Sequence, residues 1–279
     1  MIDPRPVVLL TDFGEEDGYV GIMKGVIHQI APHTPTIDLS HFVPPQDVLA
    51  GSMTLQRSVD YFAPGSIFVC VVDPGVGTER RSIAAQIGER FFIGPDNGLI
   101  TLWLNEAVKR HESIEIVELD RPQYWLESLS KSFHGRDVYA PTGAHLSAGL
   151  ELSELGTVIN DPVLLDVPQP NPTNHGWEGQ ILHIDHFGNL ATNIKRKHLI
   201  AFSPDISNGI PNVRVRYGEY TIQGISTTFG ESIPGNLVAI IDSADFLSLA
   251  VVNDNAQEYL KAEIGDTVRV IASNLMNIE

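Results

Sequence analysis

The sequence predicts an α/β protein: an N-terminal doubly wound α/β domain followed by a small C-terminal β-barrel domain. Three observations carry this. Over the first half, short apolar β-branched runs alternate with segments whose apolar residues recur at helical spacing. A proline-rich stretch (Pro162, Pro168, Pro170, Pro172) then interrupts the pattern. Beyond it come short β-type runs separated by Gly, Pro, Asn and Asp, the spacing of a small barrel or sandwich. The 279 residues also reach the size, ~250–300 residues, at which single cores give way to separate domains.

Val7 to Leu10 reads as a first buried strand, ending at Thr11-Asp12-Phe13-Gly14. Val20, Met23, Val26, Ile27 and Ile30 then line one helix face, and Pro32 and Pro35 stop that helix. Thr36 to Leu39 is a short strand and Asp47 to Phe62 a second helix. Ile67 to Val72 is a continuous apolar strand that breaks into Asp73-Pro74-Gly75-Val76-Gly77. Ile83–Ile87 and Phe91–Ile93 read as a hairpin or adjacent strands, the latter running into Gly94-Pro95-Asp96-Asn97-Gly98. Leu99–Val108 and Val138–Leu150 read as helices, the second carrying small residues that permit close packing. The predicted boundaries are 1–162 for the α/β domain, 163–178 for a stiff linker and 179–279 for the barrel domain. Within the last, the β-type runs are Gly179–Ile184, Val213–Tyr217, Tyr220–Ile225, Leu237–Ile241 and Thr267–Ala272.

The formal net charge of −17 argues against a nucleic-acid or anionic-membrane partner, since both demand basic patches. It leaves room for a cationic or zwitterionic small ligand. The single cysteine, Cys70, lies inside an apolar strand, which reads as a buried structural thiol and suits a reducing compartment. With no signal pattern or apolar run of spanning length, the expected location is the cytoplasm.

In open α/β sheets ligands bind beyond the carboxyl ends of strands. Asp73 stands at such a point, on a loop too glycine-rich for an ordinary turn. The nearby Gly94–Gly98 junction implies neighbouring strands that share one site. Asp12 follows the first strand, where it is either a turn or cap residue or a carboxylate for vicinal hydroxyls. Phe133-His134-Gly135-Arg136-Asp137 precedes a helix; its glycine permits close approach to a ligand, while Arg136 and Asp137 can equally pair with each other. Asp185-His186-Phe187-Gly188-Asn189 is either a β-turn or a clamp for a ligand with an aromatic base and a charged group. His183 and His186 match no strong metal motif, and no metal is expected. Phosphate-loop, zinc-protease and nucleophile-elbow signatures are absent from the sequence.

Together, Thr11–Gly14, Val71–Arg81 with Gly94–Gly98, Phe133–Asp137 and Phe187–Ile194 resemble the S-adenosylmethionine (SAM) hydroxide adenosyltransferases, relatives of the SAM-dependent fluorinase and chlorinase. The resemblance covers essentially the whole chain. It implies an α/β domain joined to a small β-barrel, and a homotrimer that holds its ligand between subunits. The implied reaction is attack of water-derived hydroxide on C5′ of SAM, giving adenosine and methionine. SAM is then the substrate, and no cofactor is implied.

The sulfonium is already a good leaving group, so the difficulty lies in holding and deprotonating water in line with the C5′–S bond. The family's Asp-Arg-His set falls on Asp73, Arg80 and His134. The resemblance also places Asp12 on the ribose hydroxyls, Asp185 and Ser243 near the methionine amine and carboxylate, and Phe187 and Asn189 around the adenine. Gly135 stands where the fluorinase has a serine. The sequence departs from the family at Asp242-Ser243-Ala244-Asp245, where Asn-Ser-x-Gly is usual. Two other functions compete: a chloride-using halogenase and a non-catalytic SAM sensor. The halogenases carry a tyrosine at the place of Asp73, and an anionic carboxylate repels a halide in a dry pocket. A sensor has no need of a water-activating set.

Overall fold

The computed structural model describes residues 4–200 and 213–272. The chain divides into two compact units, Met1–Asp166 and Val167–Glu279.

In the first unit, β1 (Val7–Thr11), α1 (Tyr19–Ile30), β2 (Thr36–Ser40), α2 (Val48–Ser58) and β3 (Ile67–Val71) form two successive parallel crossovers. β4 (Ser82–Ile87) and β5 (Arg90–Pro95) are an antiparallel hairpin, and β5 lies parallel to β3. α3 (Thr101–Lys109), β6 (Ile114–Leu119), α4 (Ala140–Ser147) and β7 (Gly156–Val158) complete the unit. The sheet order is β2-β1-β3-β5-β4-β6-β7, so the doubly wound expectation holds for the parallel half. The other half is antiparallel, and β6 and β7 were not anticipated.

The two-residue period of a strand sorts each core strand onto two faces. Val7 and Leu9 of β1, with Ile67, Val69 and Val71 of β3, pack with residues of α1 and α4. Val8 and Leu10, with Phe68, Cys70 and Val72, pack with residues of α2 and α3 on the other face. The result is a helix–sheet–helix sandwich in which strands buried on both faces read as unbroken apolar runs. Cys70 sits inside this core, and burial pushes its thiol pKa up.

Helix ends follow local chemistry. Asp47 caps α2 by accepting from the Ala50 N–H at 2.9 Å, and α2 passes at Ser58 into a tighter turn that ends at Tyr61. The predicted helix at Val138 starts differently: a π-helical turn over Gly135–Tyr139 leads into α4. Gly143 brings α4 onto β3, since a Cβ there would lie 2.8 Å from a Val69 methyl.

The second unit carries β8 (Asn171–Thr173), β9 (Gly176–Ile184), β10 (Leu190–Lys195), α5 (Arg196–Ile200), β11 (Val213–Tyr217), β12 (Tyr220–Gln223), β13 (Leu237–Ile241), β14 (Phe246–Val251), α6 (Ala256–Leu260) and β15 (Thr267–Ala272). Its antiparallel sheet runs β12-β11-β15-β9-β10-β14-β13, with β8 against β9. A bridge between Ser226 and Ile240 brings the two ends together, so the sheet is a nearly closed barrel. Ile181, Leu190, Val215, Leu249 and Val268 are among the side chains that fill it.

Candidate active site

In the first unit the chain leaves β1 toward β2 on one side and returns to β3 on the other. The carboxyl ends of β1 and β3 therefore flank a topological switch point, the place where such sheets bind ligands. Thr11 pairs with Val71 in register, so Asp12 and Asp73 emerge on neighbouring strands at the same edge.

The Asp73 loop curls tightly. The Val76 N–H donates to the Asp73 carbonyl at 3.2 Å and the Thr78 N–H to the Gly75 carbonyl at 3.1 Å. This returns Arg80 over Asp73: Nε donates to Oδ1 at 2.8 Å and Nη2 donates to Oδ2. The pair is buried, with side-chain exposures of 11% for Arg80 and 4% for Asp73. Gly77 adopts φ +76°, and a Cβ there would stand 2.1 Å from the Lys131 carbonyl oxygen. Only glycine lets the segment preceding His134 come this close.

That approach delivers His134, whose Nδ1 lies 3.0 Å from Arg80 Nη2. Burial, then the Arg80 charge, holds the imidazole pKa below its usual value, outweighing Asp73 and Asp137. For Arg80, burial opposes the charge, but its bonds to Asp73 and the negative charge of that carboxylate outweigh it and raise its pKa. A guanidinium only donates, so a nitrogen bonded to it accepts. His134 Nδ1 is therefore unprotonated, and the neutral ring carries its proton on Nε2.

Further residues brace the cluster; of their contacts the sequence anticipates the Arg136–Asp137 pair, and it gives Ser82 and Tyr139 no role. Arg80 Nη1 donates to Ser82 Oγ at 2.9 Å, Ser82 Oγ lies 3.1 Å from the Tyr139 hydroxyl, and the guanidinium sits 5.7 Å from the Tyr139 ring centre. Burial raises the phenol pKa, keeping Tyr139 neutral. Asn97 Nδ2 donates to the Val72 carbonyl at 2.8 Å, fixing the residue before Asp73. Asp96 accepts from Arg81 Nε and from the Val163 N–H, both at 2.8 Å, and so ties down the neighbouring loop. Asp137 is fully buried, accepting from Arg136 and from the Ser130 N–H at 2.6 Å; it anchors the His134 loop. Tyr139 lies in a π-turn whose bend no local pattern signals.

Asp12 lies beside this cluster. Its Oδ2 accepts from the Gln46 N–H at 2.8 Å. Phe13, Tyr19 and Phe133 form an edge-to-face trio with centroids 5.2 to 5.9 Å apart, joining the Asp12 and His134 loops. Three of the sequence motifs thus converge in one unit.

In the second unit, Asp185, Phe187 and Asn189 share one turn between β9 and β10. Asp185 Oδ1 accepts from the Phe187 and Asn189 N–H groups at 2.9 Å, and Oδ2 accepts from the Asn189 amide at 2.8 Å. The Phe187 ring is 74% exposed. Ser243 is exposed in the β13–β14 turn. Because β10 and β14 run antiparallel, these two turns stand at opposite ends of that strand pair. Asp245, where the family has glycine, adopts the same kind of left-handed backbone (φ +70°), held by Arg196 Nε at 2.9 Å. Asp242 accepts from the Ala244 and Phe246 N–H groups at 2.9 Å and so shapes the turn that glycine usually serves. Among the described residues, no three His, Cys, Asp or Glu side chains group as a metal site requires.

A buried Asp–Arg pair with a neutral imidazole, set at the switch point of an α/β sheet and followed by an antiparallel barrel, defines a two-domain class with a polar site in its α/β unit. The chain belongs to the SAM hydroxide adenosyltransferase family. The N-terminal domain of that family matches residues 7–156 and the C-terminal domain residues 179–269. The (R)-S-adenosyl-L-methionine hydrolase of Thermus thermophilus is 38% identical over 271 residues, covering 96% of this chain and 100% of its own. The enzyme of the same name from Salinispora arenicola is 36% identical over 265 residues, covering 94% and 96%. The crystal structure of an uncharacterized conserved protein from Thermotoga maritima superposes with a TM-score of 0.86 at 33% identity, covering 95% of this chain and 99% of that one.

Proposed function

We propose that this protein hydrolyses S-adenosyl-L-methionine to adenosine and L-methionine by attack of water at C5′. The observation that carries the reading is the buried Asp73–Arg80–His134 cluster at the carboxyl edge of β3. Near-full-length identity to two SAM hydrolases supports the substrate.

In the proposed mechanism the three side chains divide the labour. Arg80 occupies one lone-pair direction on each Asp73 oxygen, which leaves the others to accept a hydrogen bond from water. His134 offers its Nε2–H, which orients the water oxygen. The proton therefore goes to Asp73 and not to His134. Oxygen forms a bond to C5′, the C5′–S bond breaks, and its electron pair stays on sulfur as the thioether of methionine. The departing sulfonium needs no acid and the reaction needs no cofactor. Asp12 is assigned to the ribose hydroxyls, Asp185 to the amino-acid end, and Phe187 and Asn189 to the adenine; Ser243, at the far end of the β10–β14 pair from Asp185, is not assigned to the same end. We further assign a homotrimer with sites at the subunit boundaries, supported by the large exposed ring of Phe187. A cytoplasmic location is supported by the lone, buried cysteine.

Purified protein incubated with SAM in ¹⁸O-water, with and without chloride, tests the reading. Adenosine carrying ¹⁸O at its 5′ oxygen, equimolar with methionine in both samples, is the expected product. Chlorodeoxyadenosine in the chloride sample would establish a halogenase, and intact SAM a sensor.

A further inference from the structure

His41 is the only fully buried histidine among the described residues. It lies just past the carboxyl end of β2, outside the Asp73–Arg80–His134 cluster, and both ring nitrogens are engaged. Nδ1 is 2.9 Å from the Thr11 hydroxyl, and Nε2 is 2.9 Å from Asp38 Oδ1. The other Asp38 oxygen accepts from Lys24 Nζ at 2.5 Å. This chain starts at a protonated amine on α1 and ends on the residue immediately before Asp12.

Two further bonds fix the same pair of loops together. The Gly14 N–H donates to the His41 carbonyl at 2.8 Å, and the Gln46 N–H donates to the Asp12 carboxylate at 2.8 Å. The Asp12 loop is therefore clamped before, at and after the carboxylate by the segment that His41 opens. Gln46 holds a left-handed backbone (φ +66°), a conformation that non-glycine residues keep only where the surroundings enforce it. The Thr11 hydroxyl also accepts from the Phe13 N–H at 3.3 Å, so its own proton is free for His41 Nδ1. The ring then donates from Nε2 to the Asp38 carboxylate. A carboxylate that must meet two adjacent hydroxyls needs its orientation set to within a fraction of an ångström.

We infer that His41, held by Asp38 and Lys24, is a positioning residue that aims the Asp12 carboxylate at the vicinal diol of the ligand's ribose. The inference rests on the assignment of Asp12 to the ribose, and its test separates the two. His41→Asn keeps a polar atom near Thr11 and loses Asp38; His41→Gln reaches Asp38 and loses Thr11. Binding of adenosine and of 2′,3′-dideoxyadenosine is measured by calorimetry for the wild type, Asp12→Asn, both His41 variants and Asp38→Asn, after thermal melts identify the folded proteins.

Asp12→Asn is expected to weaken adenosine binding about tenfold, equivalent to ~1.4 kcal/mol, and to leave the dideoxy ligand unchanged. His41→Gln should show the same diol-dependent loss, and His41→Asn a smaller one. Asp38→Asn, altered at the exposed end of the chain, carries the test if both His41 variants fail to fold, and should lose affinity for adenosine alone. An Asp12→Asn protein that binds both ligands as the wild type does overturns the assignment of Asp12. A diol-dependent loss in Asp12→Asn, with His41 or Asp38 variants that weaken both ligands equally or neither, overturns the positioning role.

Discussion

Replacing Asp73 by asparagine separates chemistry from binding. The carboxylate is 4% exposed and receives two donors of Arg80, which is itself only 11% exposed. Asparagine matches its shape, keeps one acceptor and sets an NH₂ against a guanidinium N–H. Removing one partner of a buried pair costs about 3–5 kcal/mol; retention of one hydrogen bond puts this variant at the low end. At roughly 2–4 °C per kcal/mol for a unit of this size, the melting temperature falls by roughly 6–12 °C. Loss of the general base lowers turnover by roughly 10²–10⁴, or about 3–5 kcal/mol of barrier. Asp73 faces the water and not the ligand in this mechanism, so affinity changes by less than about tenfold. Turnover is read by chromatographic separation of adenosine at a temperature where the variant is folded, and affinity by calorimetry with adenosine. Turnover within about threefold of the wild type would refute the mechanism, as would a parallel loss of affinity and turnover.

Two other outcomes follow from the same geometry, and a third from the proposed homotrimer. Because burial and Arg80 hold the His134 pKa below the usual ~6.5, the unfolded chain takes up that proton first as pH falls. Activity and the stability from neutral His134 are therefore complete above ~6.5 and decline below it, and His134→Asn should remove that acidic limb from the pH–rate profile; a limb centred above ~6.5 would contradict this. Gly77→Ala sets a methyl 2.1 Å from the Lys131 carbonyl oxygen at φ +76°, so it should abolish activity and lower the melting temperature; a fully active variant would show that this approach does not place His134. Light scattering should report a mass about three times the 30.6 kDa chain, and an active monomer would exclude shared sites.

Much of the site was legible in the sequence because its parts sit at strand ends. An unbroken apolar run such as Ile67–Val72, followed by Asp-Pro-Gly, announces both a buried strand and the ligand edge of its sheet. The pairing of β3 with β5 bears out the reading of two neighbouring junctions. β6 escaped notice because Glu115 and Glu118 of Ile114–Leu119 stand three residues apart and break a strand's period of two, and β14 because Phe246–Val251, buried throughout, has no period that separates strand from helix.

The sequence by itself determined which residues reach the edge of the sheet, because a strand's period of two and a glycine's freedom are local properties. It also presented Asp73, Arg80 and His134 as a set, through their likeness to a family. Only the tertiary structure decided how they are arranged. The return of Arg80 onto Asp73, the approach of His134 through Gly77 and the support from Ser82, Tyr139 and Asn97 depend on contacts between distant segments. The direction of the Arg80–His134 hydrogen bond, on which the proposed transfer of the water's proton to Asp73 rests, follows from that juxtaposition, since a donor must meet an acceptor wherever packing brings them together.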